Sequence, residues 1–263
     1  MTQRHESPFA GRAVFIAGGT SGMNLETAQR FAREGSRVAV ISRNPERVES
    51  AVKTLRETSP DSLGFPCDVR DATAIAEAID RAAEAIGPFD VVIAGQAGNF
   101  PCAAADLSPN GFKAVVDIDL LGSFNVFHAA YAHLNKPGAS LIAITAPQAV
   151  QPQYGQIHVC AAKAGVNMLV KCLALEWGAE GIRVNAISPG PIDGSEGMKR
   201  LAPEPEARAR IAGRLPLRRL GTTDDIVEAV GFLVGPSADY VTGLVLDCDG
   251  GLNVVQGGYS FGA

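Results

Sequence analysis

Seven short apolar runs, separated by segments of helical spacing, leave few folds open to this chain. AVFIAGG (13–19), RVAVISR (37–43), LGFPCDV (63–69), FDVVIAGQAG (89–98), ASLIAITA (139–146), IRVNAISPG (182–190) and GLVLDCDGG (243–251) read as strands. They lack the polar–apolar alternation of a sheet with one wet face, so they are expected to be buried on both sides. The intervening segments repeat their apolar residues at helical intervals. In NLETAQRFAREG (24–35), Leu25, Ala28 and Phe31 share a face and Gly35 supplies a stop. PERVESAVKTLRET (45–58) opens with Pro45 in a first-turn position. Further helices are expected at 73–87 and 223–235, with two long ones at 111–134 and 158–181.

Strictly alternating strands and helices predict an α/β fold: a single-domain, Rossmann-type, doubly wound parallel sheet of about seven strands with helices on both faces. The 263 residues are 46% hydrophobic, enough for one large core over 1–263. The stretch 191–220 reads as an irregular insertion rich in Pro, Gly and Arg. Its place after a strand end suits a lid over the carboxyl ends of the strands.

A net charge of −5 without a basic run gives no electrostatic reason to bind nucleic acid or an anionic membrane. The five cysteines show no metal-ligand spacing and read as reduced, buried small residues, so no metal is expected. The polar start MTQRHESPFAGR lacks the apolar segment of a secretory signal, and the closing YSFGA matches no targeting address. No apolar run reaches membrane length. The expectation is a soluble cytoplasmic protein.

AGGTSGMN (17–24) joins the first strand to the first helix. Glycines there let the backbone approach a pyrophosphate, and a helix N-terminus offers free N–H groups. Gly18 and Gly22 fit the first two positions of a GxxxGxG turn, but Asn24 stands at the third, where glycine permits close helix–strand packing. After the second strand, neutral Ser42 and then Arg43 stand where a carboxylate would select NAD. A guanidinium suits a 2′-phosphate, which favours NADP(H), although an exposed arginine is the plain alternative. Asp68 either bonds the adenine edge or caps a turn.

The turn at 17–24, CDV (67–69), the AG of IAGQAG, the lysine-bearing helix, SPGP (188–191) and DGG (249–251) together resemble the short-chain dehydrogenase/reductase family across residues 9–252. The resemblance implies an Asn, Ser, Tyr and Lys tetrad. At those positions this chain has Asp119, Ala146, Val159 and Lys163. Valine cannot give a proton to an alkoxide, so ordinary carbonyl reduction is not expected. The segments 97–126, HVCAAK (158–163), 188–201 and LRRLG (217–221) are similar to the 2,4-dienoyl-CoA reductases, particularly the peroxisomal type. The mitochondrial type carries a displaced Tyr where this chain has Gln148. The peroxisomal pattern implies catalysis by Asp119 and Lys163 with a water. Departures from the pattern are Asn24, Gln96 in the strand-end motif, and a shorter tail.

The same resemblance implies NADP(H) contacts from Gly18, Thr20, Ser21, Gly22 and Met23 in the first turn, and from Ser42 and Arg43 after the second strand. Further contacts are implied at Asp68, Val69, Gly95, Lys163, Pro189 and Gly190, with Ile192 offering backbone to the carboxamide. Asn99, Phe100 and His158 are expected to meet an acyl-CoA substrate. Lys199, Arg200, Arg214, Arg218 and Arg219 are candidates for its phosphates. The two long helices carry more apolar residues than one sheet face needs, and the resemblance implies that they pair between subunits as a homotetramer. Two alternatives stay open. One is a reductase of another substrate with a relocated acid, for which Tyr154 is a candidate. The other is a nucleotide-binding protein without turnover, a sensor or assembly subunit.

Overall fold

The computed structural model describes residues 7–255. The readings of a signal-free start and an address-free tail concern residues 1–6 and 256–263, which lie outside the described residues. The elements run β1 (Ala13–Ala17), α1 (Gly22–Arg33), β2 (Arg37–Ser42), α2 (Pro45–Arg56), β3 (Leu63–Pro66), α3 (Ala72–Ile86), β4 (Val91–Ala94), α4 (Pro109–Val116), α5 (Gly122–Ala130), β5 (Ser140–Ile144), α6 (Ile157–Trp177), β6 (Arg183–Pro189), α7 (Glu196–Leu201), α8 (Pro205–Arg214), α9 (Thr223–Val234) and β7 (Val245–Cys248). The strands form one parallel sheet in the order β3-β2-β1-β4-β5-β6-β7. The order reverses between β1 and β4, which opens a crevice at their carboxyl ends.

Both faces are covered, as the unbroken apolar runs require. Alternate residues of β1 serve opposite layers: Phe15 packs with α3, α5 and α6, whereas Val14 and Ile16 pack with α1, α2 and α9. Local sequence sets several helix starts. Asn44 accepts from the Arg47 N–H at 3.0 Å, and Asp71 accepts from the Thr73 and Ala74 N–H groups at 3.0 Å.

Four expectations are corrected. The helix expected at 111–134 begins at Pro109 and is interrupted by a π turn, Asp117–Leu121, before closing in a 3-10 turn. The stretch 191–220 is not irregular, because it holds α7 and α8. Its base is closed by backbone bonds, Asp193 N–H to Gly221 O at 2.8 Å and Gly221 N–H to Pro191 O at 3.0 Å. Beside that base, Arg219 grips both oxygens of Asp225 at 2.7 and 2.9 Å and holds that carboxyl well below its usual range. Third, Ile157–Glu180 is long and apolar enough to cross a membrane by length and composition alone. In this fold 44% of its most apolar window is buried within the chain, and it carries the buried Lys163.

The fourth correction concerns the thiols. Cys67 is buried, but Cys172 is exposed on α6. Burial, helped by the neighbouring Asp71 and Asp68 charges, pushes the Cys67 thiol up to about 11. A thiol with that pKa is almost wholly protonated at pH 8 and therefore a poor nucleophile. A chromogenic disulfide reagent at pH 8 is expected to leave Cys67 unmodified in the folded protein and to modify it only after denaturation. Modification of Cys67 at the same rate in the native and the denatured protein would contradict this placement.

Candidate active site

Asp119 sits at the centre of the π turn. The Gly122 N–H reaches back five residues to Asp117 O, and the widened turn brings the Asp119 side chain into the core with no solvent exposure. A buried carboxylate needs partners, and three neighbours hold the residue. The Gly98 N–H donates to Oδ1 at 2.6 Å, and Lys163 Nζ lies 3.1 Å from Oδ2. The Ser123 hydroxyl donates to the Asp119 carbonyl at 2.6 Å and accepts from Gln96 Nε2 at 3.0 Å. The Lys163 contact is a charge pair outside good hydrogen-bonding angles, so Oδ2 keeps an open acceptor position.

Lys163, 4% exposed, is fixed from the other side by donating to Ile144 O at 3.0 Å, at the end of β5. One turn earlier on α6, Val159 packs with Val115 and Ala162 in a small apolar cluster. The place of a phenol is thus filled by packing. Tyr154 is 86% exposed, which removes it as a relocated acid. Gln148 Nε2 donates to Gln156 Oε1 at 2.9 Å.

The loop after β4 is held at successive residues by different elements. Asp119 takes the Gly98 N–H. Arg200, from α7 of the insertion, donates to Asn99 O at 3.2 Å. His158 Nε2 faces Phe100 O at 3.0 Å and therefore carries the proton, leaving Nδ1 a buried acceptor without a partner. The Phe100 and His158 rings stand 4.5 Å apart. The structure thus brings Asp119, Lys163, Asn99, Phe100 and His158 together around one loop. Gly98 and Ser123, which steady Asp119, have no sequence signal beyond standing near motif residues.

At the phosphate turn, Gly22 adopts φ +55° with open space where a Cβ would be. Ser21 makes no side-chain cap, and no acidic residue stands in the first turn of α1. That cradle fits an anion. Thr20 is buried and Met23 half-buried in the same turn. Ser42 is half-buried at the end of β2 and Arg43 exposed beyond it. Asp68 caps the turn after β3. It accepts from the Arg70 N–H at 3.1 Å and from the Arg70 guanidinium at 2.6 Å, which holds its carboxyl below its usual range. Val69 O accepts from Asn125 Nδ2 at 2.9 Å. Pro189 and Ile192 are buried at the end of β6. Between them, the Gly190 N–H donates to Cys248 O at 3.0 Å, and a Cβ on Gly190 would strike Asp249.

Known proteins resemble this chain over most of its length. A family profile described as enoyl-(acyl carrier protein) reductase matches residues 17–253. The peroxisomal 2,4-dienoyl-CoA reductase SPS19 of Saccharomyces cerevisiae, named as (3E)-enoyl-CoA-producing, is 42% identical over 93% of this chain and 85% of that protein. A probable 2,4-dienoyl-CoA reductase of Bacillus subtilis, named as (2E)-enoyl-CoA-producing, is 40% identical over 91% of this chain and 96% of its own length. The crystal structure of a short chain dehydrogenase from Bacillus anthracis superposes with a TM-score of 0.83 at 36% identity, covering 95% of this chain and 100% of that one.

Removing one member of the buried pair isolates the other. Lys163→Met is expected to lower the unfolding free energy by about 3–5 kcal/mol by stranding the Asp119 carboxylate. Adding Asp119→Asn should recover part of the loss. Urea denaturation of the two single variants and the double variant checks this, and strict additivity would mean that the charges do not interact.

Proposed function

Because the chain belongs to the short-chain dehydrogenase/reductase family, we propose that it uses NADPH to reduce a 2,4-dienoyl-CoA to a 3-enoyl-CoA. The observation that carries this is the buried Asp119–Lys163 pair, set where the family's phenol and serine are absent. Family membership and the reductase relatives imply a nicotinamide cofactor, and the phosphate turn fits one. Gly18, Thr20, Ser21, Gly22 and Met23 would hold its pyrophosphate. Ser42 and Arg43 would hold the adenosine phosphate, and the segment Pro189–Ile192 would hold its carboxamide. Val69 and Gly95 line the path between these ends, with the Asp68–Arg70 unit beside the adenine.

When bound, the cofactor supplies a hydride to the far end of the conjugated thioester. Negative charge then spreads to the thioester oxygen, so no alkoxide needs a proton and the missing phenol is not required. Lys163 places a positive charge near the developing enolate. Lys163, whose side chain keeps 5% exposure, would hold the water that protonates the α-carbon, and the fully buried Asp119 would fix the charge and position of that lysine. The net proton comes from solvent. The His158-held carbonyl of Phe100 and the side chain of Asn99 shape the thioester pocket. Arg200 on α7 reaches the loop at Asn99, where the phosphates of a CoA would enter; Lys199 beside it in sequence is paired with Glu196, and Arg219 is occupied by Asp225. Phe112, Leu121 and Phe124, with Ile157, Met168 and Leu175 of α6, expose an apolar surface that we assign to pairing between copies in a homotetramer.

Two measurements test this reading. With 2,4-hexadienoyl-CoA, NADPH absorbance should decay, and Asp119→Ala and Lys163→Ala should lower kcat by about 10²–10⁴-fold. In D₂O the deuteron should appear at the α-carbon of a 3-enoyl product by NMR. A 2-enoyl product would overturn the assigned proton position. Absent decay despite saturable NADPH binding would overturn the reductase reading in favour of a binder without turnover. Separately, Arg43→Ala should weaken NADPH binding by about tenfold or more while leaving NADH unaffected. Equal losses for both nucleotides would remove Arg43 from phosphate selection.

A further inference from the structure

Asn24 departs from the glycine expected at the third position of the phosphate turn, and the structure shows where the extra volume goes. It is buried, the third residue of α1, and its side chain points toward the end of β4. Nδ2 donates to Gly95 O at 2.7 Å and makes a long contact of 3.5 Å to Gly18 O. Gly95 is the residue that makes room. A Cβ built on it would lie 2.7 Å from Asn24 Cγ, so the amide would have to leave its place. The backbones are locked together as well. The Gly95 N–H donates to Ala17 O at 3.0 Å, the Gly18 N–H donates to Ile41 O at 2.9 Å, and a Cβ on Gly18 would stand 2.9 Å from Gln96 N.

These contacts cross the crevice where the strand order reverses. One wall is the turn that receives the pyrophosphate. The other is the start of the loop whose Gly98 N–H is held by Asp119. A glycine at position 24 would bring helix and strand together by bare backbone contact. Here an amide side chain fills the gap and donates to the Gly95 carbonyl. We propose that Asn24 and Gly95 form a matched pair that sets the separation of these two walls, making Asn24 a positioning residue for the dinucleotide; the inference rests on the nicotinamide reading above.

The test is a double-mutant cycle read by NADPH binding, using the fluorescence of the bound nucleotide, with melting of the nucleotide-free protein measured in parallel. Gly95→Ala should raise the NADPH Kd by about tenfold by displacing the Asn24 amide, and Asn24→Gly by about fivefold through loss of its hydrogen bond. The double variant Asn24→Gly/Gly95→Ala, in which the new methyl occupies the vacated space, should return to within about threefold of the parent. Losses that multiply in the double variant would overturn the pairing. So would an Asn24→Gly protein that melts earlier yet binds NADPH like the parent, because the role would then be structural only. Should Gly95→Ala fail to fold, Asn24→Asp keeps the shape and removes the donor. It must raise Kd by a similar factor, and an unchanged Kd would overturn the proposal. A parent protein that binds neither NADPH nor NADH would instead refute the nicotinamide reading, and this inference would fall with it.

Discussion

A carboxylate with no exposure to water can persist only if the fold is arranged around it, and Asp119 imposes that condition on the centre of this molecule. Its Oδ1 takes the N–H of the loop after β4, its carbonyl takes Ser123, and its charge is met by Lys163, itself tied to the end of β5. Three segments distant in sequence are thereby fixed relative to one another. A buried ion pair is costly to form and more costly to break, so its presence is poor evidence of optimised stability. It makes more sense as a constraint retained for chemistry: a fixed positive charge beside an acceptor that is only partly satisfied.

Under the proposed reaction, the same pair would make up for the missing phenol and serine. Carbonyl reduction needs a proton donor at the oxygen, whereas reduction of a conjugated thioester needs stabilisation of a delocalised anion and a proton at carbon. Val159 therefore serves as packing, joined to Val115 and Ala162, without leaving a hole in the mechanism. His158, one residue before it, contributes through backbone, since its protonated Nε2 fixes the Phe100 carbonyl. Arg200 grips the adjacent Asn99 carbonyl from the insertion, so the state of that segment is felt directly at the loop that Asp119 holds.

Much of this was legible in the chain itself. Apolar runs without alternation specify strands buried on both faces, and their alternation with helical segments specifies parallel order, because a parallel connection needs a crossover. The glycine-bearing turn, Asp119 and Lys163 were readable because each is a residue type whose chemistry is unusual for its setting. Less was legible where the outcome rests on a neighbour remote in sequence. Tyr154 could not be dismissed until it was found in solvent, and the Gly98 N–H that Asp119 takes lies 21 residues away in the chain. The insertion hides two helices because short helices held by caps and a closed base leave little periodicity to read.

What the sequence by itself determined is the layered architecture and the inventory of reactive groups, both of which follow from local periodicity and side-chain chemistry. Tertiary structure alone decided the π turn that rotates Asp119 inward, the angle at which Lys163 meets it, and the accommodation of Asn24 by Gly95. The physical reason is common to all three. Each depends on packing and hydrogen bonding between segments that only the closed sheet brings together, and no local pattern encodes how much room a distant glycine will leave.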